Sequence, residues 1–459
     1  MASIIVVGGG LVGPVAACYL ARRGHEVHMF ERRPDPRQTP PAPGKSVHLV
    51  ISERGWRALA DIGADEDVRR ISIALRGRTI HSADGRTTFQ PYGRPDQCIY
   101  AVSRTALNEV LLDTVERLAG IRLHFDMRCV DVGLTDGTAS FEDSRGKSVQ
   151  TRQGAIVVGA DGAFSAVRAK MLRRARLNFA QSCLEWGYRE LEMRASSDRR
   201  APLDPTTMHV WPRGGFMLSA FPNLDGSFTA SVFLPFEGPL SFESVRTEAE
   251  LLELFEGAFP DAVPLMPQLR RQFFTHPTQS LITLQCWPWT AAGRAALVGD
   301  AAHSVVPFYG QGMNAGFEDC TALDRCIEQH GEDWPAVLSS YERLRKPDTD
   351  ALAELSLRNF IELRDRVGDP EFLRRKRIER RVADRYPDRF MPMYSMVAFS
   401  RMPYATAKQI GEAQDLIIDR LATVDGIDEC WDTDVVQRRV EEILRSAAPR
   451  TAATSSVAT

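Results

Sequence analysis

The sequence predicts an α/β fold, extended by a domain built on an antiparallel sheet and by a helical region towards the C-terminus. Three observations support this prediction. Residues 4–20 contain an apolar run, a glycine-rich turn and an apolar helical stretch, in the order of a βαβ unit. Residues 181–285 contain short alternating segments between turns, a pattern typical of antiparallel strands. From about residue 316 to about residue 445 the pattern is helical.

The N-terminal segment carries every part of a dinucleotide-binding βαβ unit. Ile4–Val7 predicts a buried parallel strand, and residues 8–13 fit the pattern G-x-G-x-x-G. A helical stretch stops at Gly24, and Glu26–Phe30 predicts the second strand. Glu31 follows this strand, where a carboxylate can accept a hydrogen bond from a ribose 2′-hydroxyl. The same carboxylate would repel the 2′-phosphate of NADP, so we expect the site to bind FAD or NAD.

Each glycine of this motif has a separate task. Gly8 allows a tight turn, Gly10 lets a pyrophosphate approach the backbone, and Gly13 lets the helix pack closely against the strand. Leu11 and Val12 complete the turn at the start of the helix. Free N–H groups and the helix dipole favour an anion there. We therefore predict that these five residues contact the cofactor.

Composition and charge argue against several classes of protein. With 459 residues, the chain is expected to form two or more domains. Hydrophobic residues make up 44% and charged residues 25%, and the net charge of −3 gives no reason to expect nucleic-acid binding. No apolar run is long enough to span a membrane, and the N-terminus lacks the pattern of a signal peptide. We expect a cytoplasmic protein without membrane association.

The eight cysteines form no metal-binding pattern. None belongs to a C-x-x-C motif, and no spacing of cysteine and histidine suggests zinc. They are interpreted as reduced thiols, most of which pack in the interior of a cytosolic protein. We predict no metal site.

Local patterns assign the elements that follow the N-terminal unit. After a proline-rich loop, Ser52 is predicted to cap a helix, and Ser103 is predicted to cap a second, amphipathic helix. Strands are predicted over about residues 72–100 and 121–158. Ala295–Val298 predicts another buried parallel strand.

Two further turns place an aspartate directly after a buried strand. Asp161 follows the strand predicted at Ile156–Val158, and Asp300 follows Ala295–Val298, with a glycine in each turn. An aspartate in such a turn is unusual for pure packing, and Asp300 can accept a hydrogen bond from a ribityl or ribose hydroxyl. Both aspartates are predicted to bind the cofactor.

A pair of glycines opens the long helical region. The first residues of a helix present backbone N–H groups and the positive end of its dipole. These groups would stabilise negative charge at N1 and C2=O of a reduced isoalloxazine. The predicted contacts are Gly310, Gln311, Gly312, Met313 and Asn314.

In this order, the three glycine motifs resemble the class A flavoprotein aromatic hydroxylases. They are G-x-G-x-x-G at 8–13, GADG-x-x-S-x-V-R at 159–168 and GDAAH-x-x-x-P-x-x-G-Q-G-x-N at 299–314. Shorter segments narrow the resemblance, over roughly residues 4–405, to the kynurenine 3-monooxygenases within that family. These segments are Ile80–Ser82, Pro91–Gly93, Val102–Arg104, His209–Arg213, Leu234–Glu237, Gly310–Asp319 and Tyr394–Arg401.

The resemblance implies a fold and a reaction. The fold would be an FAD-binding, Rossmann-like domain of the glutathione-reductase type, with an antiparallel-sheet substrate domain and a C-terminal helical region. FAD would be bound tightly, and NADPH would dock transiently to reduce it, without a Rossmann domain of its own. The reduced flavin would react with O₂ to give a C4a-hydroperoxide, which hydroxylates the ring of L-kynurenine at the 3-position, ortho to the amine.

Two alternatives remain open at this point. The same chemistry could act on a ring-substituted kynurenine or an anthranilate-like acid from secondary metabolism. A protein of a different class, which binds flavin or NAD without hydroxylating a substrate, is the other alternative. The partners are expected to be a small aromatic amino acid and O₂, and the chain is expected to be a monomer or a homodimer.

By the same resemblance, four residues bind the amino-acid end of the substrate. Arg78 and Tyr92 correspond to the pair that holds the carboxylate, and Asn359 and Tyr394 reach the same end from the helical region. The physics agrees, because a buried carboxylate needs a charge-assisted partner and arginine offers a planar fork. The aromatic ring is expected to lie among Met208, Met217, Ser219, Phe221, Phe233, Pro307 and Phe308.

The resemblance also places Lys45, Leu49 and Arg104 at the cofactor, with Arg104 at the pyrophosphate. Four positions depart from the family pattern. Lys45 and His48 stand where the family usually has the arginine and the asparagine of Arg-Ser-x-Asn, and Ser219 and Phe221 break the aliphatic floor of the pocket. We expect no counterpart in this sequence of the membrane-anchoring C-terminal helix of the mitochondrial members.

His303 and a basic run have less specific interpretations. His303 is interpreted as a structural histidine near the flavin rather than as a base. The run Arg374–Arg381 is interpreted as a solvated helix face, with contact to a cofactor phosphate or an acidic partner as the alternatives.

The predicted domains are discontinuous in the sequence. They are an FAD-binding domain at 1–71, 101–180 and 286–365, a substrate-binding sheet domain at 72–100 and 181–285, a helical region at 366–445, and a disordered tail at 446–459.

Overall fold

The structure is a computed structural model that describes residues 1–38, 48–143, 146, 149–174, 176–194, 203–366 and 369–447. Lys45 lies outside these residues, as does the predicted tail beyond Ala447. The helical region was predicted to end at about residue 445, and its last helix ends at Ala447, with Ile443 and Leu444 buried near its end.

Nineteen strands are described, and the bounds of each are given in chain order. They are β1 Ser3–Val7, β2 Glu26–Phe30, β3 His48–Ile51, β4 Ser72–Leu75, β5 Gly77–His81, β6 Thr87–Pro91, β7 Ile99–Ser103, β8 Ile121–His124, β9 Met127–Val132, β10 Thr138–Asp143, β11 Val149–Gln153, β12 Ile156–Gly159, β13 Asn178–Met193, β14 Thr207–Pro212, β15 Met217–Pro222, β16 Phe228–Pro235, β17 Gln279–Trp287, β18 Thr290–Ala291 and β19 Ala295–Leu297.

The described helices follow the same order. They are α1 Val12–Arg22, α2 Glu53–Asp61, α3 Asp65–Arg70, α4 Arg104–Arg117, α5 Ala166–Arg174, α6 Glu248–Ala258, α7 Leu269–Thr275, α8 Asp300–His303, α9 Gly312–His330, α10 Trp334–Ile361, α11 Pro370–Arg385, α12 Met393–Ala398, α13 Tyr404–Ala422 and α14 Asp434–Ala447, with 3₁₀ turns at Val263–Leu265 and Pro307–Tyr309 and a π-helical turn at Glu362–Arg366.

A six-stranded sheet forms the centre of the N-terminal unit. Its order is β18-β19-β12-β1-β2-β8, and every neighbouring pair except β18 with β19 is parallel. The apolar run of β1 explains its central place, because Ile4, Ile5 and Val6 are completely buried. The parallel strands predicted at Glu26–Phe30 and Ala295–Val298 are confirmed as β2 and β19, each next to an edge strand, and β19 ends one residue earlier, at Leu297.

The two predicted helix caps are correct in position but wrong in contact. Ser52 and Ser103 occupy the N-cap positions of α2 and α4, yet neither side chain accepts a hydrogen bond from the first turn. The hydroxyl of Ser52 instead donates to Oε1 of Gln311 at 3.2 Å. A tertiary partner therefore replaces the local one, which the sequence pattern does not reveal.

A seven-stranded sheet, β17-β13-β16-β15-β14-β5-β6, carries the second unit. It is antiparallel except between β5 and β14. Its apolar back packs against α6 and α7, which share a core with Leu218 and Val232. Within residues 72–100, β5 and β6 join this sheet, whereas β4 and the start of β7 belong to a separate three-stranded sheet with the order β3-β7-β4.

The predicted helical region is confirmed, but it begins at Gly312 and is interrupted by turns. The basic run lies on α11, and it is not wholly solvated as predicted. Arg374 donates to Asp428 at 2.5 Å, and Arg381 donates to the carbonyl oxygen of Ile427 at 3.1 Å. These cations fasten α11 to the loop after α13. None of the helices in the described ranges is both long enough and apolar enough to cross a bilayer.

Candidate active site

The glycine-rich turn between β1 and α1 leaves part of its backbone open. A Cβ atom on Gly8 or Gly13 would collide with a backbone oxygen, so these two glycines are needed for packing. A Cβ atom on Gly10, in contrast, would meet nothing within 4 Å. Nδ2 of Asn108 donates to the carbonyl oxygens of Gly9 and Gly10 at 3.0 and 2.8 Å. The turn is therefore fixed on one side and open beside Gly10.

Glu31 is buried at the end of β2 and supports this turn. Its Oε2 accepts a hydrogen bond from the N–H of Gly9 at 2.7 Å, and its Oε1 accepts from the backbone N–H and Nε of Arg33 at 3.1 and 2.9 Å. Oε2 keeps a further lone pair for a ligand hydroxyl. Contact between Glu31 and a ribose stays a prediction. The hydrogen bond to Gly9 gives Glu31 a structural role that the sequence did not reveal.

The helices assigned to anion binding begin without side-chain caps. Leu11 and Gln311 occupy the N-cap positions of α1 and α9, and neither side chain accepts a hydrogen bond from the following turn. Neither first turn contains an acidic residue. The N–H groups and dipole at these helix starts can therefore serve a negatively charged ligand.

The side chains of Gln311 and Asn314 have partners within the protein. Oε1 of Gln311 accepts from the hydroxyls of Ser52 and Tyr404 at 3.2 and 3.0 Å. Oδ1 of Asn314 accepts from the N–H of Ser52 at 2.9 Å, and its Nδ2 donates to two backbone carbonyl oxygens at 2.8 Å. Both side chains fix the turn before α9, so the backbone is the part that remains for a cofactor.

Asp161 combines a structural contact with an unpaired atom. Its Oδ2 accepts from the N–H of Ala166 at 2.6 Å and so caps α5, while its buried Oδ1 has no hydrogen-bond partner in the described part of the chain. Burial raises the pKa of Asp161, although hydrogen bonds from Ser165 and from α5 oppose the rise. A buried acceptor without a partner costs free energy, and a donor on a bound ligand would remove this cost.

Asp300 begins α8 and is open to solvent in a recess of the protein. Desolvation by the surrounding protein raises its pKa, and the positive charge of Arg104 at the start of α4 opposes the rise. The carboxylate and the cation therefore lie within electrostatic range of each other. A recessed carboxylate of this kind suits a hydrogen bond from a sugar hydroxyl.

These features fit a flavin dinucleotide. The open backbone at Gly10 and the two helix starts suit its phosphates and its ring system, and Oδ1 of Asp161 lacks a donor. Apolar side chains that are only partly buried at the edge of the core complete the surface: Leu11, Val12, Leu49 and Met313.

One face of the seven-stranded sheet carries the predicted ring pocket. Side chains alternate along a strand, so Met217, Ser219 and Phe221 of β15 share this face, and Leu218 and Ala220 share the other. The backbone register places Met208 beside Arg78, and Met217 beside Phe233.

The predicted pocket residues fall into two adjoining hydrophobic clusters. Met217, Phe233 and Phe308 belong to one, in which the rings of Phe233 and Phe308 are 5.3 Å apart. Phe221 belongs to the other, together with Tyr92 and Tyr394, and Met208 contacts both clusters. Ser219 lies on the same face and is buried, whereas Pro307 is exposed at the start of its 3₁₀ turn.

Arg78 stands at one end of a ladder of stacked tyrosines. Its guanidinium carbon lies 5.9 Å from the ring centroid of Tyr92, and it makes no ion pair with any residue that the structure describes. The rings of Tyr92 and Tyr394 stack at 5.4 Å with 16° between their planes. Tyr394 and Tyr309 stack at 5.7 Å and 22°.

The three phenols keep their protons at neutral pH. Burial raises the pKa of Tyr92 to about 12, and it also raises the pKa values of Tyr309 and Tyr394, although Arg78 opposes each rise. Protonated phenols donate hydrogen bonds, and Arg78 adds a positive charge. The arrangement can therefore bind a carboxylate with charge-assisted hydrogen bonds.

Asn359 lies at the wall of this pocket. Its Nδ2 donates to the carbonyl oxygen of Phe308 at 2.7 Å, which holds the 3₁₀ turn against α10. One of its two amide hydrogens is thus used within the protein. Direct contact between Asn359 and a substrate stays a prediction.

His303 is buried in an ion-pair network. Its Nε2 lies 2.6 Å from Oδ2 of Asp319, and Nε of Arg345 donates to Oδ1 of the same carboxylate at 2.8 Å. Burial alone would raise the pKa of Asp319, but His303 and Arg345 outweigh it and lower the pKa. These contacts agree with the structural role predicted for His303.

Comparison with known proteins identifies the family. A family model described as FAD binding domain matches residues 1–356. A kynurenine 3-monooxygenase of Flavobacterium johnsoniae is 44% identical over 442 residues, which cover 96% of this chain and 98% of that protein. The chain belongs to the kynurenine 3-monooxygenase family. Relatives of the same name in Myxococcus xanthus and Dictyostelium discoideum are 42% and 39% identical, and the alignments cover 97% and 91% of this chain and 95% and 92% of the relatives.

Solved structures support the fold. The tetrameric form of 2-methyl-3-hydroxypyridine-5-carboxylic acid oxygenase gives a TM-score of 0.66 at 20% identity, and the match covers 81% of this chain and 95% of that one. Pseudomonas aeruginosa PqsL in complex with 2-aminobenzoylacetate gives a TM-score of 0.64 at 19% identity, and the match covers 80% and 97%. The family therefore has the flavoprotein hydroxylase fold that the sequence predicted.

Three residues of the site were missed by sequence reasoning. Tyr309 follows directly after Phe308, which was assigned to the pocket, so the aromatic pair itself was an available signal. Asn108 had no local signal, because its partners lie in the glycine turn near the N-terminus. Buried Arg54 donates to the carbonyl oxygens of Val397 and Ser400 at 2.5 and 3.0 Å, contacts that only the tertiary fold creates.

Proposed function

We propose that this chain is an FAD-dependent monooxygenase that hydroxylates the aromatic ring of L-kynurenine at the 3-position, with NADPH as the reductant and O₂ as the oxygen source. Identities of 39–44% with kynurenine 3-monooxygenases, over more than nine-tenths of the chain, support the reaction. The observation that carries the choice of substrate is the unpaired guanidinium of Arg78 at the edge of an aromatic pocket.

The amino-acid end of kynurenine would lie at Arg78. The planar guanidinium binds the carboxylate in a fork. The hydroxyl of Tyr92 donates to Sδ of Met208 at 3.6 Å, a weak acceptor that the carboxylate would replace, and the hydroxyl of Tyr394 adds a second donor. The stacked rings limit the rotation of these phenols, since Tyr394 lies between Tyr92 and Tyr309. This arrangement would hold the carboxylate end of kynurenine in one position and so orient the aromatic ring for the reaction.

The aromatic ring would lie against the face of the sheet formed by Met208, Met217 and Phe233, beneath Phe308. An apolar surface of this kind excludes water from the reacting carbon and from reactive oxygen species. The amine of kynurenine already donates electron density into the ring, so the protein needs no nucleophile of its own. Its residues supply orientation, electrostatics and exclusion of water.

The cofactor would be held by the glycine turn at Gly10, by the starts of α1 and α9, and by Asp161 and Asp300. FAD supplies the oxygen-activating redox chemistry after its reduction by NADPH, a chemistry that no side chain provides. The single βαβ fingerprint is assigned to FAD, so NADPH docks transiently and without a Rossmann domain of its own. A cytoplasmic location is supported by the eight cysteines, all of which are free thiols.

Product analysis tests the proposal. Purified protein is mixed with NADPH, kynurenine and ¹⁸O₂, and the products are identified by mass spectrometry. The expected result is 3-hydroxykynurenine that contains one labelled oxygen atom, with one NADPH consumed for each product molecule. Protein that purifies without flavin, or NADPH consumption without a labelled product, would contradict the proposal and favour a non-hydroxylating flavin- or NAD-binding protein.

A further inference from the structure

A second cavity lies next to the proposed substrate pocket, on the outer side of the segment that follows Asn359. Its volume is about 270 Å³, and its walls come from the end of α10, the π-helical turn, α11 and α13. Arg375 and Lys376, two residues of the basic run on α11, line the cavity, and the proposed reaction gives neither of them a role.

One short segment separates the cavity from the substrate pocket. On the inner side, Asn359 donates to Phe308, and Leu363 packs in the same cluster as Met217. On the outer side, Arg358 and Glu362 line the cavity. The segment is a π-helical turn from Glu362 onwards, a form that occurs mostly as single turns and often at functional sites.

The cavity contains charged side chains of both signs, and some of them form ion pairs. Arg358 pairs with Asp415 at 2.5 Å, and Lys376 pairs with Glu379 at 2.9 Å. Burial alone would lower the pKa of Lys376, but the carboxylates of Glu379 and Glu362 outweigh it and raise the pKa. Lys376 therefore remains charged, and its positive charge is matched within the cavity.

Two charges in the cavity lack an ion-pair partner among the residues described. They are the half-buried carboxylate of Glu362 and the exposed guanidinium of Arg366, one at each end of the π-helical turn. Glu362 acts on Lys376, and Arg366 acts on Asp365, only through longer-range electrostatic attraction, so neither group is held in an ion pair within the described chain. Together the carboxylate and the guanidinium complement the ammonium and the carboxylate of an α-amino acid. A phosphate group would match Arg366 but would be repelled by Glu362.

The cavity is electrostatically connected to the substrate pocket. Arg78 opposes the rise in the pKa of Lys376, and the pKa of Tyr309 is raised first by burial and then by Glu362 and Glu379. The charges of the cavity and those of the carboxylate site thus act on each other across the segment.

We propose that this cavity is an outer subsite for the amino-acid group of incoming kynurenine, in which Glu362 binds the ammonium and Arg366 binds the carboxylate before the molecule passes to Arg78. This inference rests on the proposed function, because it takes kynurenine as the ligand. It gives Glu362 and Arg366 a part in substrate entry that is separate from the inner site. No covalent step occurs in the outer subsite.

Rapid mixing of kynurenine with the oxidised holoenzyme tests the proposal, with the flavin absorbance as the signal. An outer complex makes the observed rate saturate as the concentration of kynurenine rises. We expect Glu362→Gln and Arg366→Gln each to raise the half-saturating concentration by about two- to fivefold, the range of a partly exposed ion pair. The overall dissociation constant should change by less than about twofold, because the final complex lies at Arg78.

The matched control is Glu371→Gln, on the same helix as Lys376 but outside the cavity, which should leave the half-saturating concentration unchanged. A linear rate dependence in the unmodified enzyme, or unchanged saturation in both variants, overturns the outer subsite. A higher overall dissociation constant with unchanged saturation also overturns it, since Glu362 would then belong to the inner site. A higher KM for NADPH in Arg366→Gln, without an effect on kynurenine, would assign the cavity to phosphate instead.

The same measurement separates this inference from the proposed function. If kynurenine neither perturbs the flavin spectrum nor gives a hydroxylated product, the proposed function fails. If hydroxylated product forms but the rate never saturates, only the outer subsite fails.

Discussion

The guanidinium of Arg78 on β5 faces the ring of Tyr92 at 5.9 Å, and no carboxylate in the described part of the chain pairs with it. A cation among buried aromatic rings is costly unless a counter-charge approaches it. Arg78 is therefore prepared for an anion from outside the protein. Its two aromatic neighbours, Tyr92 and Tyr394, keep their protons and can donate to the same anion.

Removal of this cation should weaken substrate binding strongly. We expect Arg78→Ala to raise the KM for kynurenine by roughly ten- to a hundredfold, because a hydrogen bond to a charged group contributes about 1.5–3 kcal/mol. Arg78→Lys keeps the charge but loses the fork, so its KM should lie between those of the unmodified enzyme and the alanine variant. Steady-state kinetics and the stimulation of flavin reduction by kynurenine provide the measurements.

Arg76→Ala is the matched control for this prediction. Arg76 precedes β5, and its exposed side chain donates to Thr206 at 3.0 Å. Its backbone carbonyl oxygen accepts from the N–H of Tyr92 at 3.0 Å, a contact that the substitution keeps. Its loss should leave the KM for kynurenine unchanged within about twofold, as expected of a surface substitution. Equal kinetic constants for Arg78→Ala and Arg76→Ala would disprove the assignment of the carboxylate to Arg78.

The amide of Asn108 should control the affinity for FAD. Asn108→Asp keeps the size of the side chain but replaces its two N–H donors with an oxygen that faces the carbonyl oxygens of Gly9 and Gly10. The new negative charge would also lie near the cofactor phosphates. We expect FAD to bind roughly five- to a hundredfold more weakly, since unpaired polar groups and repulsion cost about 1–3 kcal/mol. Flavin fluorescence during titration of the apoprotein gives the dissociation constant.

The same change at Asn178, an exposed residue at the start of β13, serves as the control. Asn178→Asp should bind FAD like the unmodified protein. If Asn108→Asp also retains full affinity, the hydrogen bonds from Asn108 to Gly9 and Gly10 are not required for binding of the cofactor.

Sequence patterns predicted the fold well because they report local periodicity and glycine chemistry. The run Ile4–Val7 and the glycines after it require a buried strand and a close helix, and both are present. The same patterns did not reveal side-chain contacts between distant parts of the chain. The side chain of Gln311 bonds to Ser52 and Tyr404, and this choice of partner depends on how three helices meet, while the contact of its backbone with a cofactor stays a prediction.

The candidate site divides in the same way. Arg78 and Tyr92 could be named from the resemblance, whereas the stacking of Tyr394 on Tyr309 and the π-helical turn could not. Tyr309 matters because Tyr394 stacks on it, and that contact joins a 3₁₀ turn to a helix far along the sequence. The partners of charged side chains also depend on the tertiary fold. The basic run on α11 was interpreted as a solvated face, but Arg374 donates a hydrogen bond to Asp428. Neither effect leaves a local signature.

Acid should destabilise the fold through a buried histidine pair. His209 lies behind the substrate face, where its Nδ1 is 2.9 Å from Nε2 of His81, and His81 in turn bonds to Asp261 at 2.8 Å. Burial lowers the pKa of His209 from 6.5 to about 4, although the carbonyl oxygen of Asp204 and the charge of Asp261 oppose this. The folded state therefore prefers the neutral ring.

The direction of the pH effect follows from this difference. Between pH 6.5 and 4 the unfolded chain binds a proton at His209 that the folded chain does not, so stability is complete above pH 6.5 and is lost as the pH falls to about 4. The loss over this window should be about 3 kcal/mol. Denaturant unfolding at pH 7 and pH 5 should show about 2 kcal/mol of this loss, and His209→Asn should show a smaller difference between the two pH values. An unchanged difference would place the acid sensitivity in another group.

The floor of the ring pocket combines a small residue with a large one. Ser219 lies between Val210 and Ser231 in the register of β14, β15 and β16. Phe221 stacks on His48, with 6.0 Å between the ring centroids and 5° between the planes. Burial lowers the pKa of His48 to about 4, so the imidazole is neutral at pH 7 and packs against Phe221 without a charge.

We expect kynurenine to be the preferred substrate, and Ser219 to determine how much ring substitution the pocket accepts. Ser219→Ile fills the space beside Ser231 and should lower kcat/KM for a ring-methylated kynurenine by about ten- to a hundredfold relative to kynurenine, since one methyl group in an apolar pocket is worth about 1–3 kcal/mol. Phe221→Leu opens space and should shift the ratio in the opposite direction. The melting temperature of each variant must be compared, because overpacking at Ser219 can itself cost about 1–3 kcal/mol. If both variants keep the kcat/KM ratio of the unmodified enzyme, the substituted edge of the ring does not face β15, and the two departures from the family pattern are compensating changes in packing.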